Sequence, residues 1–116
     1  MEKQKTETTK DYFKKRINEI DNKIDSEKQR IKKIDDIQEE VTALNKNLNK
    51  CIELLSISIR GEKTGKKLNN MLDENKSFYA NFSSALDEEK TITTKNISKL
   101  TDEKESLIKN TKNQKE

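Results

Sequence analysis

The sequence predicts an all-α chain, an antiparallel two-helix coiled-coil hairpin with its turn at residues 60–65. Three observations carry this. The 116 residues contain no Pro and only two Gly, so neither half holds a strong helix breaker. Apolar residues recur every three or four positions along most of the chain. Both glycines fall in one central stretch, Arg60-Gly61-Glu62-Lys63-Thr64-Gly65.

The periodicity matters because composition alone would permit disorder. Hydrophobic residues make up 28% of the chain and charged residues 41%. An ordinary globular domain has about 45–50% apolar and about 25% charged residues. Low hydrophobicity with many charges is a signature of disorder. The net charge of +3 is small, however, and the apolar residues are spaced for a seam. A coiled coil needs only such a narrow stripe. No alternating run bounded by turn residues signals a strand.

The first helix is expected over 9–59, after a polar, frayed segment 1–8. Thr8 followed by Asp11 resembles a capping box. The seam then runs Phe13, Ile17, Ile20, Ile24, Ile31, Ile34, Ile37, Val41, Leu44, Leu48, Cys51 or Ile52, Leu55, Ile59. One position is skipped at Glu27 or Lys28. Ile34, Ile37 and Val41 reverse the order of the steps, which predicts a stammer with local overwinding.

The turn follows. Gly61 suits the left-handed position just past a helix end, and Thr64 suits the N-cap of the next helix. The second helix is expected over 66–110, with Leu68, Leu72, Asn75, Phe78 or Tyr79, Phe82, Ala85 or Leu86, Glu89, Ile92 or Thr93, Ile97, Leu100, Glu103 or Lys104, and Leu107 or Ile108 in its seam, and with 111–116 frayed. The β-branched run Thr91-Ile92-Thr93-Thr94 loses side-chain freedom in a helix, so 91–94 is the expected site of irregularity. Polar gaps are expected at Glu27, Glu89 and Asn96. Folding at the glycines would bring Leu55 to Leu72, Leu48 to Phe78 and Tyr79, Leu44 to Phe82, and Ile31 to Ile97. A single straight helix is the alternative, and it would carry two Gly at its centre.

Most function classes find no support. The 25 basic residues are interleaved with 22 acidic ones, which describes a solvated surface and not a phosphate-tracking stripe. Acid-to-lysine pairs at i,i+4 (Asp11 and Lys15, Glu19 and Lys23, Glu62 and Lys66, Glu105 and Lys109) support helix and solubility. No stretch approaches the ~20 apolar residues of a membrane span. The opening MEKQKTETTK has no apolar core of a signal peptide. A single Cys forms no internal disulfide, and a reducing cytoplasm is the expected compartment.

No enzyme is expected, since the chain has no His and its carboxylates read as a solvated face. No metal site and no cofactor site can be assembled from one Cys, no His and no Gly-rich phosphate loop. Cys51 reads as a small buried residue. Tyr12, Phe13, Phe78, Tyr79 and Phe82 stand at helical spacing, which suits a core or a protein partner better than stacked bases.

One feature exceeds a simple hairpin. Two helices bury one stripe each, yet the turn-proximal half carries more apolar residues than one stripe holds. Surplus apolar surface marks partner interfaces. The expected partner-binding residues are Ile52, Leu55, Ile57, Ile59, Leu68, Met71, Leu72, Phe78, Tyr79 and Phe82.

A helical hairpin with a central Gly and a second arm of the form FYANFSSALDEEK…ISKLTDEKESL resembles the small partner proteins encoded beside LXG toxins of the Gram-positive type VII secretion system. More distantly it is similar to the WXG-type secreted hairpins. Two departures stand out. Arg60 occupies the place of the Trp before the turn Gly, and no aromatic has an acid four residues on, as the type VII export signal requires. The resemblance implies a non-catalytic targeting partner or chaperone. It would bind the helical domain of a secreted toxin in the cytoplasm, beside a second small partner that supplies the signal, with export in complex as a further step. The alternative is a structural coiled coil that self-associates as an antiparallel four-helix dimer. A prefoldin-like holdase would need β-hairpins that six polar residues cannot supply, and a basic nucleic-acid adaptor ranks last.

Overall fold

The structure, a computed structural model, describes residues 2–59 and 61–114, and side chains within 9–112. Met1, Arg60, Lys115 and Glu116, which belong to the expected frayed ends and turn, lie outside the described residues. The described residues form two helices, α1 (Glu2–Ser58) and α2 (Glu62–Gln114). The chain is an all-α helical hairpin with no strand among the described residues.

Three boundaries differ from expectation: α1 starts at Glu2 and not at 9, α2 starts at Glu62 and not at 66, and α2 runs on to Gln114, past the expected end at 110. α1 begins at Glu2, so Thr8 lies inside it and not at its start. The connection is shorter than 60–65: Ile59 still donates to the Leu55 carbonyl at 2.9 Å, and Glu62 already opens α2. Gly61 is therefore not the left-handed C-terminal residue of α1, and no described glycine has positive φ. Its carbonyl accepts from Gly65 N–H at 2.8 Å, which makes it the N-cap of α2. Glu62 in the first turn complements the positive end of the helix dipole. Thr64 and Gly65 are helical, so Thr64 is not the cap.

α2 also passes through 91–94 without a break. Each β-branched residue costs about 0.5 kcal/mol of helix propensity. Thr93 is buried, and its packing outweighs that penalty.

The chain forms two compact units, Met1–Lys32 with Thr91–Glu116, and Lys33–Lys90. In the first, the two helices run antiparallel around Ile20 and Thr93, both buried, with Ile17, Ile24, Ile31, Ile97, Leu100 and Leu107 half-buried. Arg16 pairs with Glu103 at 2.7 Å and Lys104 with Asp21 at 2.6 Å. Two expected polar gaps meet each other, since Asn96 approaches Glu27 at 3.5 Å.

The second unit holds the turn. Ile34, Ile52 and Leu68 are its buried apolar residues. Lys90 pairs with Asp35 at 2.6 Å, Gln38 donates to Asp87 at 2.8 Å, and the hydroxyls of Thr42 and Tyr79 meet at 2.8 Å. The register is displaced from expectation by roughly one helical turn of 3.6 residues. The shorter connection is the cause. Leu44 consequently shares a groove with Phe78 and Tyr79, as Leu48 does as expected.

Candidate helix-docking strip

The functional surface follows from which residues the seam takes. From Ile17 onward, inward positions on α1 keep the 3,4 rhythm of a heptad: Ile17, Ile20, Ile24, Glu27, Ile31, Ile34, Gln38, Val41, Asn45. All of these are buried or half-buried. The expected stammer is absent, because the seam passes through polar Gln38 in place of Ile37. The same exchange recurs one heptad on, where Asn45 turns inward and Leu44 outward. Near the turn Ile52 is buried, 2% exposed, and Cys51 is exposed, so Cys51 is not a core residue.

The polar residues inside this unit satisfy one another. The Asn75 amide donates to Asn45 at 2.7 Å and to Asn49 at 2.8 Å. No buried side-chain polar atom among the described residues lacks a partner. This arrangement keeps the seam closed with polar groups and sends the aliphatic ones elsewhere.

Some of them collect on one side, while Leu54 and Ile57, also exposed, fall outside its rows. Ile37, Leu44 and Cys51 stand seven residues apart on α1, and Met71, Phe78 and Ala85 do so on α2, all exposed. Leu44 is 67% exposed and Phe78 65%. Both border a groove of about 240 Å³ that also touches Val41, Leu48 and Tyr79, so the two rows lie on the same side of the seam. Phe78 stacks on Phe82 with ring centroids 5.9 Å apart, which fixes the ring at the groove edge. The opposite side of the seam carries the Asp35–Lys90 ion pair and the Thr42–Tyr79 hydroxyl contact.

The ten residues expected to bind a partner divide accordingly. Met71 and Phe78 are on the strip, and Leu55, half-exposed, lies near the turn. Leu72, Tyr79 and Phe82 are half-buried, and Tyr79 also lines the groove. Ile52 and Leu68 are buried in the seam and present nothing to a partner. Ile57, 75% exposed, and Ile59 lie near the chain reversal. Sequence reasoning assigned Ile37, Leu44 and Leu48 to the seam and so missed them as surface. The signal was present in the seven-residue spacing of Ile37, Leu44 and Cys51.

Electrostatics add little chemistry. The Lys90 ammonium is held above the ordinary lysine value, first by its hydrogen bond to Asp35 and then by that carboxylate's charge. Arg16 is raised in the same way, chiefly by Glu103. Among the described residues no group of His, Cys, Asp and Glu is placed to hold a metal ion. Among them, too, no helix is long and apolar enough to cross a membrane. Comparison with known proteins gives no match to a family model, a curated protein or a solved structure.

Proposed function

We propose that this chain is a non-catalytic helix-docking protein that binds the helical domain of a type VII secreted, LXG-type effector and holds it for export. One observation carries the docking part: the turn-proximal unit closes its own seam with Gln38, Asn45, Asn49 and Asn75 and leaves Leu44, Leu48 and Phe78 outside. Exposed apolar groups in ordered rows are costly to keep in water unless a partner covers them. Rows at heptad spacing fit another helix, whose own apolar stripe would pack into the groove between α1 and α2. The resemblance of the second arm to LXG partner proteins supports the choice of effector.

The test is affinity capture of the tagged chain from its own host, with bound proteins identified by mass spectrometry. The expected result is a co-encoded protein with an N-terminal helical domain, lost with Phe78→Asp. Recovery of the chain alone would overturn the reading.

A further inference from the structure

The end of α1 carries a second exposed apolar surface, separate from the strip. Leu54, Leu55, Ile57 and Ile59 all stand in water within one stretch, 54–59. At 3.6 residues per turn they spread over about 200° of the helix circumference. A stripe of about 100° is what a helix presents to one packed neighbour. No single docking helix covers all four. The polar groups among them are already satisfied. Ser56 donates to the Ile52 carbonyl and Ser58 to the Leu54 carbonyl, each at 2.9 Å, and the Ile59 N–H donates to the Leu55 carbonyl at 2.9 Å. The hydroxyls turn back on the helix, so these donors stay paired when this turn leaves water.

The same stretch holds the net charge of the chain. Residues 50–67 contain Lys50, Arg60, Lys63, Lys66 and Lys67 against Glu53 and Glu62, a balance of +3. The other 20 basic and 20 acidic residues cancel. All four of these lysines are exposed. Aliphatic residues on several sides of a helix end, with lysines beside them, match a lipid surface. There apolar side chains enter the boundary between headgroups and acyl chains, and lysine stems reach back to the phosphates. From Leu54 to Ile59 the helix rises about 7.5 Å, within the ~5–10 Å depth of interfacial burial. We infer that the turn end of this hairpin is a peripheral anchor for an anionic lipid surface, with Leu54, Leu55, Ile57 and Ile59 in the acyl boundary and Lys63, Lys66 and Lys67 at the headgroups. A socket in a partner protein would also cover the aliphatic residues; the excess of lysine beside them favours phosphate-bearing lipid.

The anchor does not depend on the strip, and it is tested on the purified full-length chain. In co-sedimentation, wild type should bind vesicles of equal parts phosphatidylcholine and phosphatidylglycerol. Binding should be about tenfold or more weaker on phosphatidylcholine alone, and weaker in high salt. Ile57→Asp changes an exposed position and should cost about tenfold in vesicle affinity with helicity retained by circular dichroism. Lys63→Glu together with Lys66→Glu should cost at least as much. Phe78→Asp, which disables the strip, should leave vesicle binding unchanged. The chain has no Trp, so Ile57→Trp supplies a lone reporter whose emission should shift to the blue on anionic vesicles. No binding to anionic vesicles, equal binding to neutral ones, or an unshifted Ile57→Trp would overturn the inference. So would vesicle binding lost with Phe78→Asp and kept with Ile57→Asp, which would move the lipid contact to the strip. A chain that ignores vesicles and loses a captured protein with Ile57→Asp would assign this end to a protein socket and overturn it too. A chain that ignores vesicles yet captures a helical effector through Phe78 would refute the anchor and leave the proposed function standing.

Discussion

Asn75 donates to Asn45 across the seam at 2.7 Å, one residue along α1 from Leu44, which faces water. The chain places an amide where a leucine would pack and a leucine where an amide would dissolve. Such an exchange costs hairpin stability and gains two things. It pins the register of α1 against α2, the best-attested role of a seam Asn. It also supplies an apolar row for something outside the hairpin.

The register device has a measurable cost. Asn75→Ala leaves the Asn45 and Asn49 carbonyls without their donor and should lower stability by about 1 kcal/mol. Replacing Asn45 and Asn75 together by Leu should instead raise the melting temperature, since a paired apolar layer replaces a paired polar one. Thermal denaturation followed by circular dichroism separates the two outcomes.

The two sides of the unit should respond differently to charge. Leu68→Asp buries an unpaired carboxylate in the seam and should cost about 3–5 kcal/mol, enough to unfold a marginal hairpin. Phe78→Asp changes an exposed position and should shift stability by only about 0.5 kcal/mol. Equal losses in urea denaturation would show that Phe78 is a core residue.

These predictions show what was legible in the sequence. The two arms, the reversal near Gly61 and the surplus of apolar residues beside the turn could all be read from spacing and the positions of two glycines. The side of the surplus could not. Assigning apolar residues to the seam by default put Ile37, Leu44 and Leu48 inside and invented a stammer to fit them. An uninterrupted heptad through Gln38 and Asn45 was the simpler pattern, but it requires accepting amides in a core, and they are tolerated there because Gln38 donates to Asp87 and Asn45 accepts from Asn75. The turn length was misread for a related reason. Gly61 is as good an N-cap as it is a C-terminal stop, and the chain uses it as the former.

Gly65 gives a direct check on the short turn. It lies within α2, and a Cβ added there meets no atom within 4 Å. Gly65→Ala should therefore stabilise the protein by about 0.5–1 kcal/mol, through helix propensity and a less flexible unfolded chain. A loss on thermal melting would mean that Gly65 belongs to the turn after all.

The Asp35–Lys90 pair predicts a pH dependence of known sign. Lys90 is raised in the folded state, so its contribution is fully present below the ordinary lysine value of 10.5 and is lost as pH rises through the raised value. Lys90→Met should be less stable than wild type at neutral pH, and the gap should close on the alkaline side. The pair is exposed, so the gap should be small. A gap that widens with pH would contradict the assignment.

The central claim is that the exposed row through Leu44 and Phe78, and not the seam, is where this protein meets its partner. The affinity of the captured helical partner for wild type and for Phe78→Asp, by isothermal titration on chains of matched helicity, tests it most directly. The expected result is a loss of about tenfold or more in affinity with an unchanged melting temperature. Equal affinity for the two chains would contradict it.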